Sequence, residues 1–141
     1  MTKAILPTLL CCLCLSYAPH LFAQNEKLSQ ALNAQVSVSG EMTTDKFQQL
    51  IKNGFKSVIV NRPDQEQGNR ISVSQLRQIA EQSHVSVIYQ PIVNGQITQT
   101  DVIEFSKYYK ELPKPILMVC RSGSRSSLLF NQAQSQGLLH E

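Results

Sequence analysis

Apolar residues recur along this chain in two rhythms, one of period two and one of period 3.6. Val36-Ser-Val-Ser39 alternates as a strand at a sheet edge does, and Gly40 ends it. Phe47, Leu50 and Ile51 then share one helical face behind Thr43 or Thr44, either of which can cap the helix, and Asn53-Gly54 closes it. Phe55 to Val60 is rich in β-branched residues and predicts a strand, Arg62-Pro63-Asp64 turns away from it, and the polar run 65–70 reads as a loop. Ser72 with Gln75 forms a capping box, flanked by an Ile71–Leu76 staple. The helix it opens carries Leu76, Ile79 and Ala80 and ends near His84. Val85 to Tyr89 is the next strand, stopped by Pro91, and Asn94-Gly95 is a turn. Thr98 with Asp101 makes a second capping box. Val102, Phe105, Tyr109 and Leu112 then line one face, with acids early (Asp101, Glu104) and lysines late (Lys107, Lys110), as the helix dipole favours.

After Pro113 comes Ile116-Leu-Met-Val119, wholly apolar and too short for a helix, which predicts a strand buried on both faces. Leu128, Leu129, Phe130 and Ala133 predict a last helix, ended at Gly137. Strands alternating with helices at these intervals specify an α/β fold: a mostly parallel sheet flanked by helices. Ligands in such folds sit beyond the carboxyl ends of the strands. Three segments fall at such ends: the residues from Cys120, Arg62 to Asp64, and Pro91 to Gly95.

Charge and cysteine content narrow the picture. The 141 residues suffice for one domain, taken here as 36–141, preceded by a flexible lead-in over 24–35. Residues 1–23 read as a secretory signal peptide. Lys3 is their only charge, Ile5 to Leu15 is largely apolar, and a small-residue cut site follows at Ala23. A cut after Ala18, lipidation at Cys11, Cys12 or Cys14, and an uncleaved anchor are less favoured alternatives. Export to a bacterial periplasm is therefore expected, with no stable membrane insertion after cleavage. The remaining chain has 12 basic and 10 acidic side chains, a balance that does not suggest nucleic acid. It keeps one cysteine, Cys120, where an exported protein normally pairs its thiols. The pattern implies no disulfide framework, no metal site and no cofactor.

The residues after Cys120 are Arg121, Ser122, Gly123, Ser124, Arg125 and Ser126. A buried structural thiol would end a core strand among apolar neighbours, whereas this loop is small, polar and cationic. A strand, a tight loop and a helix N-terminus form an anion cradle, because backbone N–H groups and the dipole converge on one point. Those surroundings, with Arg121 and Arg125, are expected to lower the thiol from about 8.5 and make a thiolate nucleophile.

The segment Cys120-Arg-Ser-Gly-Ser-Arg-Ser126 resembles two related signatures. Protein tyrosine and dual-specificity phosphatases place five residues between cysteine and arginine, and rhodanese-type sulfurtransferases place four. Arg125 falls at the rhodanese position, and Ser126 stands where a phosphatase has its arginine. Val-Ser-Gly at 38–40, Gly-Phe-Lys-Ser-Val-Ile-Val-Asn-Arg-Pro-Asp at 54–64 and Ile-Thr-Gln-Thr-Asp-Val at 97–102 are collinear with the loop and similar to the bacterial phosphatase-like family. This family also occurs fused to β-lactamase-like hydrolases, and its members are labelled phosphatases or sulfur transferases. The resemblance covers about residues 36 to 137. It implies a dual-specificity-phosphatase-like fold, with further helix expected after the loop helix. Two positions depart from the classical phosphatase pattern. Val119 replaces the histidine before the nucleophile, and 89–95 holds no general acid.

The resemblance implies a phosphate-monoester hydrolase working through a cysteinyl-phosphate. Cys120 is the expected nucleophile, Arg125 the oxygen clamp, and Ser126 the donor that eases departure of the sulfur. Arg121, Ser122, Gly123, Ser124 and, from the neighbouring strand end, Arg62 are the expected anion-binding groups. The partner is then a small anionic substrate or phosphorylated molecule. The alternative is a sulfurtransferase carrying a Cys120 persulfide, which needs no acid, and the third reading is a non-catalytic anion-binding or thiol redox module. Asp64 and Asp101 could supply an acid, but each is more simply a turn or capping residue. His84 reads as a helix end, and Tyr108 and Tyr109 as packing residues.

Overall fold

The structure is a computed structural model describing Ala4 and residues 27–140. Apart from Ala4, the leader expected over 1–23 lies outside the described residues. No helix among those described is long and apolar enough to cross a membrane.

Five strands form one sheet in the order β1-β2-β5-β3-β4: β1 (Gln30–Ala31), β2 (Val36–Ser39), β3 (Ser57–Val60), β4 (Ser86–Tyr89) and β5 (Ile116–Val119). All neighbouring pairs are parallel except β1 with β2. The chain steps outward through α1 (Thr44–Lys52), β3, α2 (Val73–Glu81) and β4. It then returns through α3 (Gln99–Glu111) to the central β5, and leaves along α4 (Ser124–Ser135). Outward and returning crossovers lie on opposite faces, as right-handed connections require. One apolar cluster joins α1 and α2 to Val58, Val60, Leu117 and Val119; the other joins α3 and α4 to Ile59, Ile116 and Met118. The alternation within β3 and β5 is thus divided between two cores. The same parity carries the side chain after Val119 to the α4 face, which is where Cys120 lies.

The predicted caps form. Thr43 caps α1, and both capping boxes, Ser72/Gln75 and Thr98/Asp101, are closed in both directions. Ile71 and Leu76 are both buried in the first core. Three expectations are corrected. Val36–Ser39 is not the sheet edge, because Gln30–Ala31 from the supposed lead-in pairs antiparallel with it. Asn33 makes this return by accepting from the Gln35 and Val36 amides with Oδ1 at 2.8 and 2.7 Å, an Asx turn that polarity alone does not reveal. The second strand begins at Ser57, not Phe55. The Lys56 and Ser57 amides both go to the Pro115 carbonyl, and Phe55 packs against the first core from outside the strand. Finally, α2 ends at Glu81, and His84 takes a left-handed φ of 55° that completes the turn into β4.

Candidate active site at the Cys120 loop

The parallel strands bring four carboxyl ends to one edge. Gly40 follows β2, Cys120 follows β5, Asn61 and Arg62 follow β3, and Gln90 follows β4. The loop is held from both sides. The Cys120 amide donates to the Ser39 carbonyl at 3.2 Å, and the Asn61 amide to the Val119 carbonyl at 2.8 Å. Gly123 takes φ 88°, which reverses the chain into α4 and makes glycine the residue of least strain there. Beside it, a Cβ at Gly40 would lie 3.1 Å from the Arg121 carbonyl oxygen and 3.2 Å from Ser122 Cα. Only hydrogen fits at Gly40 without displacing the loop. Leu129, Phe130 and Ala133 bury one face of α4, with Phe130 edge-on to Phe105 at 6.4 Å. Burial of an aromatic or aliphatic side chain of this kind contributes roughly 1.5–3 kcal/mol and fixes the helix end that faces the thiol.

Helices α1, α2 and α3 each carry a side-chain cap, whereas α4 begins at Gly123 with none, so its first-turn amides remain available to other acceptors. The Cys120 sulfur takes up this role, accepting from the Gly123 amide at 3.0 Å. Burial, the largest single influence, pushes the thiol up. The Ser126 amide and hydroxyl and the Ser122 and Gly123 amides outweigh it and bring the thiol below its ordinary 9.0. The sequence attributed this activation to backbone amides, the helix dipole and the two arginines; in the fold it comes from amides and one hydroxyl. Cys120 itself is buried, while Arg121, Ser122 and Ser124 are exposed, and the Ser122 and Ser124 hydroxyls pair at 3.2 Å.

Arg125 is placed differently from the open clamp expected. Its guanidinium is buried and grips Glu66 with both nitrogens, Nη1 to Oε2 at 2.9 Å and Nη2 to Oε1 at 3.1 Å. Nη1 also donates to the Ile92 carbonyl at 2.8 Å. The fork is therefore filled, and Nε, the donor nearest the α4 backbone, is buried without a partner. Arg62 is also partly committed, with Nε and Nη1 buried and without hydrogen-bond partners. Its Nη2 donates to the Gln67 carbonyl at 3.0 Å, and its Nε lies 3.4 Å from the same Glu66 oxygen that Arg125 holds. Arg62 braces the 62–70 loop and stands one carboxylate away from Arg125.

Glu66 was not legible as a site residue, since it lies in an unpatterned polar run. Contact with Arg125 lowers its carboxyl below the ordinary 4.5, so it is an anion rather than a proton donor at neutral pH. Asp64 and Asp101, the two acids considered from the sequence, are engaged as turn and capping groups. Asp64 Oδ1 accepts from the Val73 amide at 2.8 Å, and Asp101 Oδ2 accepts from the Thr98 amide at 2.8 Å. Asn61 was also missed. It is fully buried, and its Oδ1 accepts from the Ser126 hydroxyl at 2.8 Å. A recess of about 240 Å³, lined by residues including Lys27, Gly40, Lys46, Ser122 and Gly123, flanks the loop on the β2 side. A larger one of about 440 Å³ lies between the C-terminal halves of α1 and α2, at the opposite end of the sheet.

A mostly parallel sheet with helices on both faces, whose central strand delivers a cysteine into the amides of a helix N-terminus, is a domain of the protein-tyrosine and dual-specificity phosphatase-like fold. Residues 29–137 match the family described as beta-lactamase hydrolase-like protein, phosphatase-like domain, and the chain belongs to that family. A beta-lactamase hydrolase-like protein of Xylella fastidiosa is 26% identical over 99 residues, which is 70% of this chain. The chain spans only 23% of that relative's length. A candidate phosphatase from Neisseria meningitidis has a similar structure (TM-score 0.71, 29% identity, 77% of each chain covered). The catalytic core of a PP-IP phosphatase from S. cerevisiae shares the fold at TM-score 0.55 and 12% identity, over 79% of this chain and 75% of its own.

Proposed function

We propose that this protein is a cysteine-dependent phosphate-monoester hydrolase. The observation that carries the reading is the sulfur of Cys120, held at 3.0 Å by the Gly123 amide within a ring of donors that lowers its pKa. The thiolate attacks phosphorus, an S–P bond forms, and the P–O bond to the leaving alcohol breaks. Water then attacks phosphorus, the S–P bond breaks, and inorganic phosphate leaves with the thiolate restored. Loop amides stabilise the equatorial oxygens, to which Arg125 adds its charge and its unpaired Nε. Arg121 on the exposed rim steers the anion. General acid catalysis contributes about 10²–10⁴-fold. Glu66, Asp64 and Asp101 are all committed elsewhere, so phenolic leaving groups, which need no proton, are the preferred substrates.

A second reading is supported by the four-residue spacing from Cys120 to Arg125 and by the filled fork of Arg125. In a sulfurtransferase the thiolate attacks the outer sulfur of thiosulfate and releases sulfite. The persulfide then passes that sulfur to cyanide as thiocyanate, and no acid is required. Parallel assays with an aryl phosphate and with thiosulfate plus cyanide separate the two. Phosphate release abolished in Cys120→Ser supports the first, thiocyanate formation supports the second, and turnover of neither leaves a non-catalytic thiol module. Export is part of the same proposal and is supported by the charge and hydropathy pattern of residues 1–23.

A further inference from the structure

Asn61 accepts the hydrogen bond of the Ser126 hydroxyl. Its side chain is oriented by the sheet: Nδ2 donates to the Gln90 carbonyl at 3.1 Å, which turns Oδ1 towards α4. Its backbone is locked as well, with N donating to the Val119 carbonyl at 2.8 Å and O accepting from the Ile92 amide at 2.9 Å. Oδ1 can only accept, so the 2.8 Å contact with Ser126 Oγ uses the single hydroxyl proton. The same hydroxyl is among the groups that lower the Cys120 thiol, whose sulfur accepts from the Gly123 amide at the same helix end. One proton therefore faces two acceptors in a corner where Asn61 and Ser126 are both fully buried.

We propose that Asn61 is a positioning residue that gives the Ser126 hydroxyl a second acceptor, so that the hydroxyl turns to the Cys120 sulfur only while the sulfur carries charge. The inference rests on the thiolate site proposed above. A charged acceptor forms a hydrogen bond roughly twice as strong as a neutral one, so the thiolate outcompetes the amide oxygen. Once the sulfur is bonded to the group it has attacked, it is neutral and a weak acceptor. The hydroxyl then rotates back to Asn61 Oδ1 instead of being left buried and unpaired, which would raise the energy of the intermediate. The proton stays on Ser126 throughout; only its direction changes. Asn61, 65 residues from Ser126, thereby links the β3 end to the covalent step without touching substrate.

The other charged groups at this end of the sheet are Arg125 from α4, Glu66 and Arg62 from the loop after β3, Arg121 on the Cys120 loop, Glu41 beside Arg62, and Lys27 and Lys46 in the recess beside Ser122 and Gly123. None is altered by the test. The pH midpoint of Cys120 alkylation by iodoacetamide is measured in the wild type, Asn61→Ala, Ser126→Ala and the double variant. Removing the competing acceptor leaves the hydroxyl to the sulfur, so Asn61→Ala should lower the midpoint by about half to one pH unit. In the Ser126→Ala background the same substitution should leave it unmoved. An unchanged or raised midpoint in Asn61→Ala, or equal shifts in both backgrounds, overturns the proposal, since a loss of packing alone has no reason to depend on the Ser126 hydroxyl. If Asn61→Ala loses its helical circular dichroism, Asn61→Asp carries the test with reversed sign. The stronger acceptor should raise the midpoint, and by more with Ser126 present than without it; equal rises refute the idea. The wild-type midpoint tests the underlying site separately. An ordinary thiol value there rejects the thiolate reading, whatever the variants do.

Discussion

Replacing Glu66 by glutamine tests whether a single carboxylate holds the loop's arginine in place. Glu66 accepts from Arg125 at 2.9 and 3.1 Å and lies 3.4 Å from Arg62 Nε, while both arginine side chains are only 4% exposed. Two unit charges about 3 Å apart attract by on the order of 5 kcal/mol at an effective dielectric of about 20. Much of that is offset by the desolvation of both partners, and Glu66 keeps a fifth of its side chain in water. Glutamine leaves two buried guanidinium groups without their shared counter-ion. We expect a loss of about 3 kcal/mol at pH 7, or a fall in Tm of roughly 10 °C by scanning calorimetry. The pH dependence follows from the lowered carboxyl. A group more acidic in the folded chain contributes fully above its unfolded value, near 4.5, and loses that contribution as pH falls through the lower folded value. The gap between wild type and Glu66→Gln should therefore be largest at neutral pH and close progressively below about pH 4.5. A variant that melts within a degree or two of the wild type at pH 7, or a gap that widens in acid, would refute the reasoning.

Three further expectations follow from the same geometry. Gly40→Ala should cut turnover at least tenfold while lowering stability by no more than about 2.5 kcal/mol. The Cβ presses on loop backbone at 3.1 Å, but part of that cost, roughly 1–3 kcal/mol, is offset by the lower entropy of the unfolded chain; a normal rate would show that the loop yields freely. Arg125→Lys should lower turnover by orders of magnitude, since lysine cannot span Glu66 and the Ile92 carbonyl together, whereas Arg121→Lys on the exposed rim should change it only modestly. The reverse order of effects would mean that the two roles are misassigned. Mass spectrometry of periplasmic protein should find a chain beginning at Gln24, and recovery only in the cytoplasm with Met1 intact would reject export.

Most of what was legible in the sequence is local. The capping boxes at Ser72 and Thr98 and the breaks at Gly54, Pro91, Pro113 and Gly137 act through contacts a few residues apart, so they can be read in order along the chain. The strand of Ile116–Val119 was legible as buried because nothing in it is polar, and the Cys120 loop because its serines and arginines do not suit an apolar pocket.

Tertiary structure decided which groups meet. Glu66 lies 59 residues from Arg125 and Asn61 lies 65 from Ser126, and nothing in either local pattern marks the pairing. Both contacts depend on β3 lying next to β5, with Val60 paired to Val119, which places the residue after each strand at the same edge. Alternation shows that a strand has two faces, but strand order and register arise from how the whole set of helices closes over the sheet. For the same reason the sequence placed Arg125 at the anion site by its spacing from Cys120, and Arg62 by its strand end, without their counter-ion. Folding turned the Arg125 fork onto Glu66 and brought Arg62 Nε to 3.4 Å from the same carboxylate, because a buried guanidinium requires a counter-ion and Glu66 was within reach.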